Sequence, residues 1–236
     1  MRTAGAVTGQ ILRDLETFVK PGVSTMDIDR FVEDQIRAKG MVPSFKGLYG
    51  FPASACVSIN DEVVHGIPSK KRKLREGDIV SVDIGSTYKD YVSDAARTYP
   101  VGTISEEAQR LIDTAKDSFF EGLKFCKVGY RLSDISHAIQ KQTESQGFGV
   151  IRDFVGHGVG RAMHEEPQIP NYGAPGRGPR LAKGMVFAIE PMITQGTYEV
   201  ETLLDDWTVV TLDGKLAAHY ENTVVITDGE PELLTL

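Results

Sequence analysis

The chain has 236 residues, with 26 basic and 33 acidic side chains for a formal net charge of −7, and is 41% hydrophobic and 25% charged. That balance fits a folded globular chain and excludes a disordered one, and it gives neither DNA nor an anionic membrane a basic surface to bind. Two cysteines outside any CxxC pair, Cys56 and Cys126, exclude a disulfide scaffold or cysteine-rich zinc module and fit a reducing cytoplasm, while no apolar run reaches the ~18 residues of a membrane span and Met1 to Gly5 shows no signal-peptide pattern.

Ile11, Leu12, Leu15, Phe18 and Val19 recur at helical spacing and stop at Pro21-Gly22. Ser24 or Thr25 caps a second helix, with Ile28, Phe31, Val32 and Ile36 on its apolar face and Lys39-Gly40 at its end. Residues 55–60 and 78–84 read as strands, and Gly85-Ser86 separates them from a third extended run, 88–99. Helix returns after Ser105, with Glu106 and Glu107 in a first turn that favours acids, and again from a cap at Ser133 to Gln146-Gly147. Pro167 to Pro179 reads as a long surface loop. Residues 185–193 form one strand, and Asp213-Gly214 joins 207–212 to 216–227 as a hairpin. Two helices followed by strands, twice over, point to an α+β fold with largely antiparallel sheet.

Four acids lie where apolar strand residues would be expected: Asp83 in Val82-Asp83-Ile84, Asp94 in Val92-Ser93-Asp94-Ala95, Glu190 in Ala188-Ile189-Glu190-Pro191, and Glu221 in Tyr220-Glu221-Asn222. Taken singly, each also reads as an edge or turn residue with a solvated carboxylate. A buried unpaired carboxylate is costly, and four together would repel. Two divalent cations would balance four negative charges. An oxygen-rich set with one imidazole, His157 in Gly156-His157-Gly158, suits Mn, Fe, Co or Zn.

Asp83-Ile84-Gly85 with Asp94 ten intervening residues after Asp83, Gly156-His157-Gly158-Val159-Gly160, His164-Glu165-Glu166-Pro167, Ala188-Ile189-Glu190-Pro191 and Tyr220-Glu221-Asn222-Thr223 resemble the methionine aminopeptidases, in the order those enzymes show. The resemblance spans nearly the whole chain and implies one catalytic domain, residues 1–236, with the pita-bread fold: two pseudo-symmetric helix-sheet halves around a dinuclear metal site. Only 25 residues separate His164 from Glu190, and the chain leaves no room for the helical insert of the type II enzymes, so the type I, bacterial-like form is the closer match.

The resemblance further implies that Asp83 holds one metal, His157 and Glu190 the other, and that Asp94 and Glu221 bridge them. A metal-bridging hydroxide would attack the first peptide bond of nascent polypeptide N-termini. Glu190 would shuttle the proton, His164 would donate to the scissile carbonyl or its oxyanion, and His65 would contact the substrate's backbone nitrogen. Phe45, Phe51, Cys56 and Trp207 would line a pocket for the methionine side chain, leaving Cys56 accessible to thiol reagents.

Relatives often carry a turn or more of chain ahead of Met1, so the start of the first helix is less defined, and they often show cysteine, tyrosine and phenylalanine where Phe45, Leu48 and Met163 stand here. The basic run Lys70-Lys71-Arg72-Lys73 reads first as a solvated loop and second as a contact for ribosomal RNA. With no heptad pattern or wide apolar stripe, a monomer is expected. The competing functions are an Xaa-Pro aminopeptidase, a metal-free creatinase-like hydrolase and a non-catalytic binding module on the same fold.

Overall fold

A computed structural model describes all residues, 1–236. Four helices carry the outer layer: α1 (Arg2–Phe18), α2 (Thr25–Ala38), α3 (Glu106–Leu123) and α4 (Leu132–Ser145). Ser24 caps α2 as expected, exchanging hydrogen bonds with Asp27, and Ser105 caps α3. The expected cap at Ser133 is displaced by two residues. Arg131 precedes α4, its backbone N–H donates to Asp134, and the Ser133 hydroxyl instead accepts from Arg177 N at 2.6 Å.

In the first half, α1 and α2 pack on a sheet built around the antiparallel strands Ile79–Tyr88 and Tyr91–Pro100, flanked by Ala55–Ile59 and Val42–Pro43. In the second half, α3 and α4 pack on a three-stranded antiparallel sheet of Gly149–Val150, Met192–Thr194 and Ala217–His219 and on a five-stranded one containing Gly156–Gly158, Val186–Ile189 and Asn222–Val225. The two-helices-then-strands order is thus met twice. Alternation along each strand then decides which side chains go where. Val80, Val82 and Ile84, with Ala95 and Tyr99, face the first helix pair; Phe187, Ile189 and Val224 face the second. The intervening positions face the seam between the halves.

Several sequence expectations need correction. Gly85-Ser86 is not a turn: the strand runs on to Tyr88 and reverses at Lys89-Asp90, both at positive φ. Gly85 serves packing instead, because a Cβ there would come within 2.8 Å of Met163 and 2.9 Å of Phe45. Ser86 turns inward to a buried hydroxyl cluster with Thr8 and Ser93. Asp213-Gly214 does not close a hairpin. Val209–Thr211 pairs with Val200–Thr202 and Glu62–Val64, whereas Ala217–His219 pairs with Met192–Thr194. The expected strands 185–193 and 216–227 are each broken, at Glu190-Pro191 and at Tyr220-Glu221, where carboxylates enter the seam. The expected loop from Pro167 begins inside a strand, Glu165–Ile169.

The seam is stitched by backbone and side chain together. Thr223 Oγ accepts from Asp94 N and donates to Asp94 O, and Glu221 N donates to Ala96 O at 3.0 Å. Arg97 stacks on Tyr220, 4.2 Å from the ring centre, and its guanidinium donates to Ala96 O, Glu221 O, Asn222 Oδ1 and Thr235 O. Alanine at position 97 would strand several of these acceptors, at a cost of about 3 kcal/mol. Arg97→Ala is therefore expected to lower the thermal midpoint by on the order of 10 °C in calorimetry; an unchanged midpoint would show that Arg97 does not hold the halves together.

Candidate active site

Pairing register explains why the two aspartates meet. Asp83 lies opposite Ala96 and Asp94 opposite Gly85, so with a two-residue turn the ten residues between them make them diagonal neighbours on the seam face. The small residues opposite leave room for both carboxylates. From the second half, His157 lies opposite Ala188, and Glu190, two residues beyond Ala188, continues the same face. Asn171 Nδ2 holds the Glu190 carbonyl at 2.9 Å. Glu221 immediately precedes Asn222, which pairs with Ile189, and this brings Glu221 beside Glu190.

The five residues converge. His157 Nε2 lies 3.5 Å from Glu190 Oε1 and 3.6 Å from Asp94 Oδ2, while its Nδ1 faces Gly158 O at 2.9 Å. Asp94, His157 and Glu221 form one cluster with metal-ligand spacing, and Asp83, His219 and Glu221 form a second. His219 was not singled out from the sequence. Its one sequence cue is weak: it stands two residues before Glu221, the alternation that puts two side chains on one face of an extended run.

These residues fit divalent cations. Asp83 Oδ1, Asp94 Oδ1 and His219 Nε2 are all buried without a hydrogen-bond partner, a rare condition that three neighbouring groups share here. Burial, then the neighbouring carboxylates, push Asp83 and Glu221 well above the ordinary carboxylate range, and burial lifts Glu190 too. Burial would lower His157, but Asp94 and Glu190 carry it to about 9. Burial lowers His65 to about 4 and His219 to about 3, and burial with the nearby His157 lowers His164 as well.

The sign of the pH dependence follows. The depressed histidines cost stability only below their ordinary value of about 6.5, above which they are neutral folded or unfolded. The raised carboxylates and His157 bind more protons folded than unfolded, so their contribution is lost as pH rises toward 9. Protein stripped of metal is expected to lose thermal stability steadily between about pH 6.5 and 9. Added Mn(II), competing with protons for the same atoms, is expected to raise the midpoint more at each higher pH. A flat difference between stripped and Mn(II)-treated protein across this range would contradict that.

A cavity of about 450 Å³ opens above the cluster. Phe45, Phe51, Cys56 and Trp207 line it, as do Leu48, Tyr49, Phe154, Gln168 and Met192. Phe51 meets Trp207 edge-on at 5.0 Å, and Met163 packs behind Phe45. Cys56 reaches the cavity but is buried, and burial raises its thiol well above the ordinary range, so slow rather than ready alkylation is expected. His65 and His164 also line the cavity. His164 is exposed, 4.5 Å from the His157 ring, under Tyr49, on a loop that Glu165 pins by accepting from Arg161 N and Ala162 N. His65 adopts φ 61°, strained for a non-glycine residue, and meets Phe154 and Trp207 edge-on. Tyr49 and Phe154 carry no sequence signal, since single aromatics on loops read as packing.

Away from the cavity, Arg72 turns inward to Glu62 and to Ile67 O, leaving Lys70, Lys71 and Lys73 as the exposed part of the basic run. No helix is long and apolar enough to cross a membrane.

Two helix-sheet halves that gather buried acids and imidazoles at their seam define a pita-bread metallohydrolase. The model of metallopeptidase family M24 matches residues 1–228. The methionine aminopeptidase of Clostridium acetobutylicum is 60% identical over all of this chain and 94% of its own length, and methionine aminopeptidase 1 of Bacillus subtilis is 50% identical with the same coverage. The crystal structure of the Thermotoga maritima methionine aminopeptidase superposes with a TM-score of 0.98 at 46% identity, covering all of this chain and 94% of that one. The chain belongs to metallopeptidase family M24, within its type I methionine aminopeptidases.

Proposed function

We infer that this chain removes the N-terminal methionine from peptides and nascent proteins whose second residue is small, as one catalytic unit over residues 1–236. The observation that supports this best is the meeting of Asp83, Asp94, His157, Glu190 and Glu221, drawn from both halves, in one cavity that Phe45, Phe51, Trp207, His65 and His164 also line. Asp83 would hold one divalent ion, His157 and Glu190 a second, and Asp94 and Glu221, each with two oxygens, would be shared between them. Mn, Fe, Co and Zn all suit this donor set, and when bound they would polarise the scissile carbonyl and acidify the attacking water.

The protein's own groups do the rest. Glu190 takes the water's proton on its carboxylate and returns it to the leaving amine. His164, neutral at pH 7, donates an N–H to the oxygen of the scissile carbonyl as charge develops there. His65, also neutral, contacts the backbone nitrogen at the cleavage point. Phe45, Phe51, Cys56 and Trp207 exclude water around an unbranched side chain.

Hydrolysis of Met-Ala-Ser, Leu-Ala-Ser and Gly-Pro-Ser by Mn(II)- or Co(II)-treated protein tests this reading. Cleavage of the methionyl peptide alone is expected; cleavage only before proline would move the function to an Xaa-Pro aminopeptidase. Phe51→Ala is expected to lower kcat/KM for Met-Ala-Ser about tenfold to a hundredfold, chiefly through KM. Unaltered kinetics would remove Phe51 from the pocket.

A further inference from the structure

We propose that His219 supplies a second imidazole nitrogen to the metal centre, beside Asp83 and Glu221. The proposal rests on the metal reading of the site and adds a ligand to it.

His219 is 1% exposed, and its Nε2 has no hydrogen-bond partner. That atom lies 3.7 Å from Glu221 Oε2 and 3.9 Å from Glu190 Oε2. Both separations are too long for a hydrogen bond. They match the span between two donors on one ion with bonds of about 2.0–2.2 Å. His157 offers the internal comparison: its Nε2 stands 3.5 and 3.6 Å from Glu190 and Asp94. The two imidazoles thus approach the carboxylate cluster in the same manner, one grouped with Asp94 and Glu221, the other with Asp83 and Glu221.

The backbone fixes His219 in that position. Its N–H donates to Thr98 Oγ at 2.9 Å, and its carbonyl accepts from the same hydroxyl at 2.9 Å. Its strand neighbours Ala218 and Tyr220 face the helix layer, so the ring is committed to the seam. A buried ring that serves only packing would ordinarily pair its nitrogens with protein acceptors; Nε2 here is aimed at carboxylates and bonded to none.

The chain has five histidines, which makes the imidazole ¹H–¹⁵N spectrum of the labelled protein readable residue by residue. The stripped protein is titrated with Zn(II) alone. Two Nε2 resonances are expected to shift to metal-bound positions, one lost in His157→Gln and the other in His219→Gln, while His137, outside the site, stays in place. By calorimetry, His219→Gln is expected to weaken Zn(II) binding at one site about tenfold or more, with an unchanged far-ultraviolet spectrum. If His157 shifts while His219 keeps its resonance, or keeps a proton on Nε2 as a donor to the carboxylates, the proposal is overturned and the metal reading stands. If neither shifts, the metal reading fails and takes the proposal with it. The wild-type titration decides these outcomes even if the variant does not fold.

Discussion

Glu221→Gln is expected to abolish hydrolysis while making the stripped protein more stable. The two effects have opposite signs because one side chain serves two states. Glu221 is 1% exposed, faces Asp83, Asp94 and Glu190, and is pushed upward by burial and by these acids. An amide of the same shape carries no charge into that cluster. Relief of about 1–2 kcal/mol corresponds to a rise of roughly 2–8 °C in the thermal midpoint of the EDTA-treated variant. The amide is also a poorer donor to cations, so most of the rise that metal gives the wild type should disappear. Loss of several kcal/mol of transition-state stabilisation predicts a fall of about a thousandfold or more in kcat/KM. A stripped variant less stable than stripped wild type would show that Glu221 is held by the fold and not strained by it.

The second large effect is expected at His164, where metal binding and chemistry should separate. His164 is exposed and outside both ligand clusters, so His164→Ala should leave metal stoichiometry and thermal midpoint unchanged. Removal of one donor to a developing oxyanion costs about a hundredfold to a thousandfold in kcat. The loss should fall on kcat more than on KM, since the bond strengthens only in the transition state. Steady-state kinetics on Met-Ala-Ser, with metal content measured on the same preparation, checks this. A variant that loses metal in parallel with activity would make His164 part of the metal centre.

The fold was legible in the sequence where alternation and capping were clean. Val80, Val82 and Ile84 announced which face of their strand met the helices, and that placed Asp83 on the other. Ser24, one of the two caps expected for α2, holds that place because it finds its own backbone partner within the next turn. Ser133 does not, because a residue far along the chain, Arg177, uses its hydroxyl. Gly85 misled for a related reason: its role is set by Met163 and Phe45, side chains remote in sequence. Strands flanking Asp213-Gly214 join different sheets, a choice made by Met192–Thr194 and Glu62–Val64 and not by the turn.

For the site, the four misplaced acids carried the chemistry, and the flanking motifs carried the family. Convergence itself could not be read, since Asp94 and Glu221 meet only through the Thr223 and Ala96 contacts across the seam. His219 is the hardest to read, because a histidine beside an acid on a strand normally reads as packing, and its unpartnered Nε2 shows only in the folded chain.

The most direct measurement is cleavage of Met-Ala-Ser by exhaustively chelated protein during titration with Mn(II) or Co(II), with binding followed by calorimetry. The expected result is no cleavage before metal, cleavage restored during the titration, binding that saturates at two ions per chain, and neither effect in Glu221→Gln. Full cleavage by the chelated protein would contradict a metal-dependent site and place the chemistry on the histidines and carboxylates alone.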